Sequence, residues 1–256
     1  MFSIMVNILL MRKLQLQMTS HFADRVLSLL DRVEYRRAET PQEREAIFAM
    51  RHEAYTREGT IERRSSGLFH DPYDETPNAW LIGVFIDGEL ASSLRLHISA
   101  STDAPLPAFD VYPDILTPYL QAGRMVIDAT RFVSRLAFSQ CYPEMPYLTL
   151  RPAFLAEVFF DADFITAACR VEHQAFYRRM FGGVPLAEPR EYPNLKRLMA
   201  FLAYDCRTRR DGIYTRYPFY RSSEGERLRL FAGSSKRSKE ILQAIGRAPK
   251  MDLSRV

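Results

Sequence analysis

Trp80-Leu81-Ile82-Gly83-Val84-Phe85-Ile86-Asp87-Gly88-Glu89-Leu90-Ala91-Ser92-Ser93-Leu94-Arg95-Leu96-His97-Ile98 consists of two apolar runs about a single Asp-Gly pair. Aspartate and glycine tolerate positive φ, which a two-residue type I′ hairpin turn requires at both positions. The stretch therefore predicts an antiparallel hairpin, Trp80–Ile86 with Leu90–Ile98. Side chains alternate along a strand, so Arg95 lies opposite Leu94 and Leu96, on the face of Ser93 and His97.

The flanks predict what surrounds this hairpin. Phe22, Val26, Leu29, Leu30 and Val33 recur at helical spacing over 22–33, followed by a short strand at Glu34–Ala38. Thr40-Pro41 with Glu43 is a capping-box pattern that opens a helix ending near Glu58, before Gly59. Residues 60–78 are polar and read as a long loop, a feature usually tied to function or motion. A proline-rich connection from Pro105 to Pro118 leads into a strand at Met125–Val133. Beyond it the spacing predicts helix Arg151–Phe160, strand Phe164–Arg170, and helix Glu172–Phe181 stopped by Gly182-Gly183. Strands at Val184–Ala187 and Leu198–Tyr204 precede a basic tail with a short helix near Glu240–Ile245. The alternation places the chain in the α/β (α+β) class, a mixed central sheet flanked by helices. Residues 1–20 form an apolar leader, 21–206 the folded domain, and 207–256 a basic C-terminal extension.

Composition narrows the function classes. Apolar residues make up 47% and charged residues 26% of 256, a globular rather than a disordered balance. A net charge of +4 suits an acidic partner but is too small to argue nucleic-acid binding. Cys141, Cys169 and Cys206 are odd in number and widely spaced, so neither a disulfide framework nor a metal site is expected, and a reducing cytoplasm is the simplest setting. A catalytic Cys–His pair stays open on spacing alone. The leader is too short to span a bilayer and lacks a cleavage signal, which leaves membrane contact peripheral at most. No Gly-rich phosphate loop occurs.

The charged residues within the apolar pattern are the candidate site. Ile47, Arg51 and Tyr55 share one helix stripe, and Asp71 and Asp74 flank Pro72-Tyr73 in the loop. Asp128 and Arg131 interrupt an otherwise apolar strand. Three apart, they fall on opposite faces unless the strand carries a bulge, a device common beside active sites. Desolvated ions must be paired or used, since each alone costs several kcal/mol.

In this order, the Arg51…Tyr55 helix, Asp71-x-x-Asp74, Ser93-Leu94-Arg95-Leu96, Phe109-Asp110-Val111-Tyr112-Pro113 and Asp128-x-x-Arg131-Phe132 resemble the autoinducer synthase superfamily. That group holds the acyl-homoserine-lactone synthases and the long-chain N-acyl amino acid synthases, with a fold similar to the GNAT acyltransferases. The resemblance covers about residues 35–205. In the lactone branch the acid at position 128 is usually glutamate, and a tryptophan follows the first helix. Here the acid is aspartate and the lone tryptophan is Trp80, both of which favour the N-acyl amino acid branch.

The resemblance implies an N-acyltransferase that moves a medium or long fatty acyl chain from an acyl carrier protein thioester, or acyl-CoA, to an amino-acid amine, without a bound cofactor or metal. A homoserine-lactone synthase using S-adenosylmethionine and a non-catalytic acyl- or partner-binding member are the alternatives. Asp128 is the expected general base, and amides freed by a bulge near Asp128–Arg131 the expected oxyanion donors. Arg95 and Arg131 hold the loop acids or an acceptor carboxylate, and Arg51, Tyr55, Asp71 and Asp74 complete the substrate site. Phe132, Val133, Phe154, Leu155, Val158 and Phe159 are acyl-tunnel candidates. Arg135, Arg151, Arg178 and Arg179 are candidates for docking an acidic carrier protein.

Overall fold

The computed structural model describes residues 21–193 and 195–232. Helix α1 occupies residues 21–30 of these, and β1 (Val33–Arg37) follows. Helix α2 (Pro41–Arg57) opens on the expected capping box, Thr40 with Glu43, and ends where Gly59 turns to a φ of 64°. The hairpin is β2 (Ala79–Ile86) and β3 (Glu89–Ser99), with Asp87 and Gly88 at φ 51° and 83°, as a type I′ turn demands. Then come α3 (Pro113–Gln121), β4 (Val126–Ser134), α4 (Leu136–Cys141), α5 (Met145–Phe159), β5 (Phe164–Arg170) and α6 (Gln174–Phe181). Short β6 (Val184–Pro185) and β7 (Arg190–Glu191) precede β8 (Leu198–Asp205), α7 (Cys206–Arg216) and α8 (Glu224–Phe231).

The eight strands form one mixed sheet in the order β1-β2-β3-β4-β5-β8-β6, with β7 also on β8. Only β4 and β5 run parallel. Helices cover both faces. On one, Ile82, Leu94, Leu96, Ile127 and Ile165 pack with α1, α5 and the C-terminal helices in the main core. On the other, α2 sits over Leu81, Leu90 and Val133, while Leu116 and Leu120 of α3 join Val126 and Phe201.

Several expectations change. Helix α3 begins within the Pro105–Pro118 connection, with Pro113 in its first turn and Pro118 inside. Helix α5 starts six residues before Arg151, at Met145, with Pro146 in its first turn, where a missing N–H costs nothing, and Pro152 in its interior. The boundary at 206–207 does not hold. Ile213, Tyr214, Tyr217, Phe219, Tyr220, Leu230 and Phe231 are buried in the main core, so 207–232 belong to the domain and not to an extension. The leader and the helix at Glu240–Ile245 lie outside the described residues. Among the described residues no helix is long and apolar enough to cross a membrane.

Candidate active site

Two departures from strand regularity build the site. Ser93 pairs Val133 and Arg95 pairs Thr130, so Leu94 alone faces both Arg131 and Phe132. This is the expected bulge, and Arg131 takes it up at a φ of 56°, a left-handed conformation that costs a non-glycine residue about 1 kcal/mol or more. The extra residue resets the alternation. Arg131 turns to the face of Asp128 and Arg95, while Phe132 packs against the main core. Beyond the bulge lies the second departure. Strands β4 and β5 pair from Val126↔Phe164 to Ala129↔Ala167 and then part, although β4 runs on to Ser134 and β5 to Arg170.

A cavity of about 310 Å³ fills this fork. It passes through the plane of the sheet. Pro107, Tyr192, Leu195 and Met199 line it on the α3 side, and Pro146, Phe176 and Tyr177 on the α5–α6 side. Arg95, Thr130, Arg131, Tyr55, Glu58, Arg170 and His173 supply its polar wall.

The charged residues singled out in the sequence come together beside this wall. Asp71 accepts from Arg95 Nη1 at 2.6 Å and from Arg131 Nε at 3.1 Å, one arginine on each oxygen. Asp74 accepts from Arg51 at 2.9 Å and lies 2.9 Å from Arg95. The turn reading of this loop holds as well, because Asp71 caps the 3-10 turn Pro72–Glu75 and the Asp71 amide donates to Asp74. Arg51 and Arg95 are wholly buried, and the strand face of Ser93, Arg95 and His97 is covered. Burial pushes Asp74 upward, but Arg51 and Arg95 outweigh it and hold the carboxyl far below the usual range. Burial, with Arg95 beside it, pushes His97 down to about 3, so the ring is neutral. Three guanidinium groups share two carboxylates, leaving the cluster one positive charge in excess.

Asp128 stands apart from this cluster. Its carboxylate is completely buried and accepts from the Ala108 amide at 2.9 Å and from Thr166 Oγ1 at 3.1 Å. Burial pushes it up to about 6. It is not among the residues that line the cavity. What it holds is the Pro107–Asp110 turn, and Pro107 is cavity wall.

Other expectations divide. Phe132 and Val133 line the fork; Leu155, Val158 and Phe159 pack in the core away from it. Phe154 borders a separate small pocket. Arg135, Arg178 and Arg179 are exposed, next in sequence to the wall residues Ser134 and Tyr177. Arg151 cannot dock a partner. It is buried, donating to Phe219 O at 2.6 Å, Arg221 O at 2.9 Å and Glu226 at 2.9 Å. The sequence reading missed Glu58, Cys169, Arg170, His173, Tyr177 and Tyr192. Their available signal was positional, since binding sites gather where neighbouring parallel strands separate at their carboxyl ends. Among the described residues no cluster of His, Cys, Asp and Glu could hold a metal ion.

A family model described as N-acyl amino acid synthase FeeM matches residues 46–205, which include the bulge, both sides of the fork and the charged loop. The chain belongs to this family. It is an N-acyltransferase with a GNAT-like fold. The structure of FeeM, an N-acyl amino acid synthase from uncultured soil microbes, superposes with a TM-score of 0.61 at 17% identity, covering 73% of this chain and 98% of that one. The CoA-dependent acyl-homoserine lactone synthase MesI gives 0.51 at 17% identity, covering 75% and 96%. BjaI, of the same description, gives 0.51 at 16%, covering 73% and 89%. At such low identity these likenesses concern the fold alone. A direct comparison with curated protein sequences finds no match.

Proposed function

We propose that this enzyme moves a medium or long fatty acyl chain from the thioester of an acyl carrier protein onto the amine of an amino acid. The observation that carries this reading is the fork cavity itself, which runs through the sheet from a cation-rich wall to an apolar one. An acceptor carboxylate suits the side of Arg95 and Arg131, where the charged cluster has its surplus positive charge. The acyl chain suits the side of Phe132, Pro146, Phe176 and Tyr177. The thioester carbonyl then lies between them, at the bulge.

There the amine nitrogen attacks the carbonyl carbon, the new C–N bond forms, and the π pair moves onto oxygen. Arg131 and Phe132 have no partner in either ladder, so their amides are our choice of donors for that oxyanion. The amine proton passes, directly or through water, to the Glu58 carboxylate, 3.4 Å from Arg170, whose guanidinium also donates to His173 Nε2 at 2.9 Å. Burial and Arg170 keep His173 below its ordinary pKa and therefore neutral at pH 7. Collapse breaks the C–S bond, and the departing thiolate takes up a proton. Asp128 acts as a positioning residue through the Pro107–Asp110 turn. Arg135, Arg178 and Arg179 are the proposed docking cations for an acidic carrier.

The test is turnover of purified protein with acyl-carrier thioester, or acyl-CoA, and a mixture of amino acids, read by mass spectrometry. An N-acyl amino acid supports the proposal, and the better of the two thioesters identifies the donor. An acyl lactone formed with S-adenosylmethionine, releasing methylthioadenosine, replaces it with lactone synthesis. Tight acyl binding without any product makes the chain a binding protein.

A further inference from the structure

Beside the fork lies a second pocket of about 30 Å³, partly open to solvent, between α5, α6 and the β5–β8 pair. That is room for one or two groups of water or methylene size. Leu150, Ala153, Phe154, Ile165 and Phe181 make its wall apolar throughout. One residue belongs to the walls of both spaces, Tyr177. It sits on α6 with its ring against Cys169, Ala200 and Leu202, its centroid 5.3 Å from that of Phe176 and 6.2 Å from that of Phe181. Phe176 lines the fork and Phe181 the second pocket, so Tyr177 stands as the partition.

We propose that Tyr177 is the specificity-determining residue for acyl-chain length: its ring closes the apolar end of the fork cavity and shuts the chain out of the second pocket. This rests on the reading that the acyl chain occupies the fork. With the acceptor on the side of Arg95 and Arg131, the chain is assigned to the apolar side at α5 and α6, where Tyr177 lies between the fork and the second pocket. Chains that stop short of the ring bury every methylene. Longer ones must fold back or leave carbons in water, and each methylene left unburied lowers binding about fourfold. The partition is a phenol ring with two side-chain torsions, set between α6 and the sheet, so it is stiffer than an aliphatic plug.

The experiment is a competition among saturated acyl thioesters from octanoyl to octadecanoyl, with the product distribution read by mass spectrometry. Tyr177→Ala joins the two spaces, and the preferred length shifts upward by two to four methylenes, roughly, with more than tenfold gain in kcat/KM for the longest donors relative to the shortest. Tyr177→Phe keeps the ring and keeps the wild-type cut-off, whatever its rate. Gly183→Val refills the second pocket, because a Cβ at Gly183 meets only ordinary contacts, Tyr177 O at 3.4 Å and Leu202 Cδ2 at 3.5 Å. Added to Tyr177→Ala, it returns the distribution toward the wild type. An unchanged length profile in folded, active Tyr177→Ala overturns the proposal while leaving acyl transfer intact. Absence of any acyl amide from the wild type refutes acyl transfer instead. In that event, binding of the same acyl-CoA series by calorimetry still decides the partition, through the same shift or its absence.

Discussion

Asp128→Asn separates two roles for one carboxylate. Burial raises this group from an ordinary 3.8 to about 6, a difference worth about 3 kcal/mol. The sign follows from the protonated form being favoured in the folded state. Stability from this group is complete below about pH 4 and is lost as pH rises through 6, so at pH 7 the ionised carboxylate burdens the fold. Asparagine keeps the shape without the charge. Its oxygen can accept from the Ala108 amide and its NH2 can donate to Thr166, the two partners present now. Losing charge assistance in these bonds costs about 1 kcal/mol. The variant should therefore gain about 2 kcal/mol at pH 7, roughly 4–8 °C in Tm for a domain of this size. Thermal unfolding from pH 7 down to pH 4 should show the gap closing as wild-type Asp128 takes up its proton. Turnover should stay within about tenfold of wild type, since the Pro107–Asp110 turn is still held. A folded variant with a thousandfold loss of kcat would make Asp128 the general base and refute the positioning role. A variant less stable than wild type at every pH would refute the burial argument.

Asp71→Ala takes the carboxylate from buried Arg131 and leaves Arg95 with Asp74 alone, and about 3–5 kcal/mol of stability should be lost in urea titrations. Asp74, held below its ordinary pKa by two arginines, contributes stability that is present above about pH 4 and falls away as pH drops below that, so Asp74→Asn should flatten the acid limb of the stability–pH curve. Glu58→Gln should lower kcat by about a hundredfold or more with unfolding unchanged, and full activity would place the base elsewhere. Arg178→Glu with Arg179→Glu should raise KM for a carrier-protein thioester in a salt-dependent way at constant Tm, whereas Arg151→Met should lower Tm and leave carrier KM alone. Native alkylation at pH 8 should label Cys141 alone, because Cys141 is exposed while burial pushes the Cys169 thiol to about 12 and the Cys206 thiol higher still.

Features under local chemical control were legible from the residues alone. Asp87-Gly88 between apolar runs specified the hairpin, Thr40 with Glu43 specified the start of α2, and five motifs in order specified the family. The ions of the charged cluster were legible too, because a charge within an apolar pattern stands out against its neighbours. Their pairing was not. Arg51, Asp71, Arg95 and Arg131 are joined across 80 residues of chain by a long loop folding over a sheet face, and alternation alone left that face open to solvent. Only packing between distant segments shows that Asp128 holds the Ala108 amide, that Arg151 binds carbonyls inside the core, and that 207–232 pack into the main core. The cavity belongs to no local pattern at all. It exists because two parallel strands part beyond Ala129 and Ala167 and leave unlike side chains facing one gap. Local periodicity records which face a side chain takes, whereas a gap between strands depends on packing between segments distant in sequence.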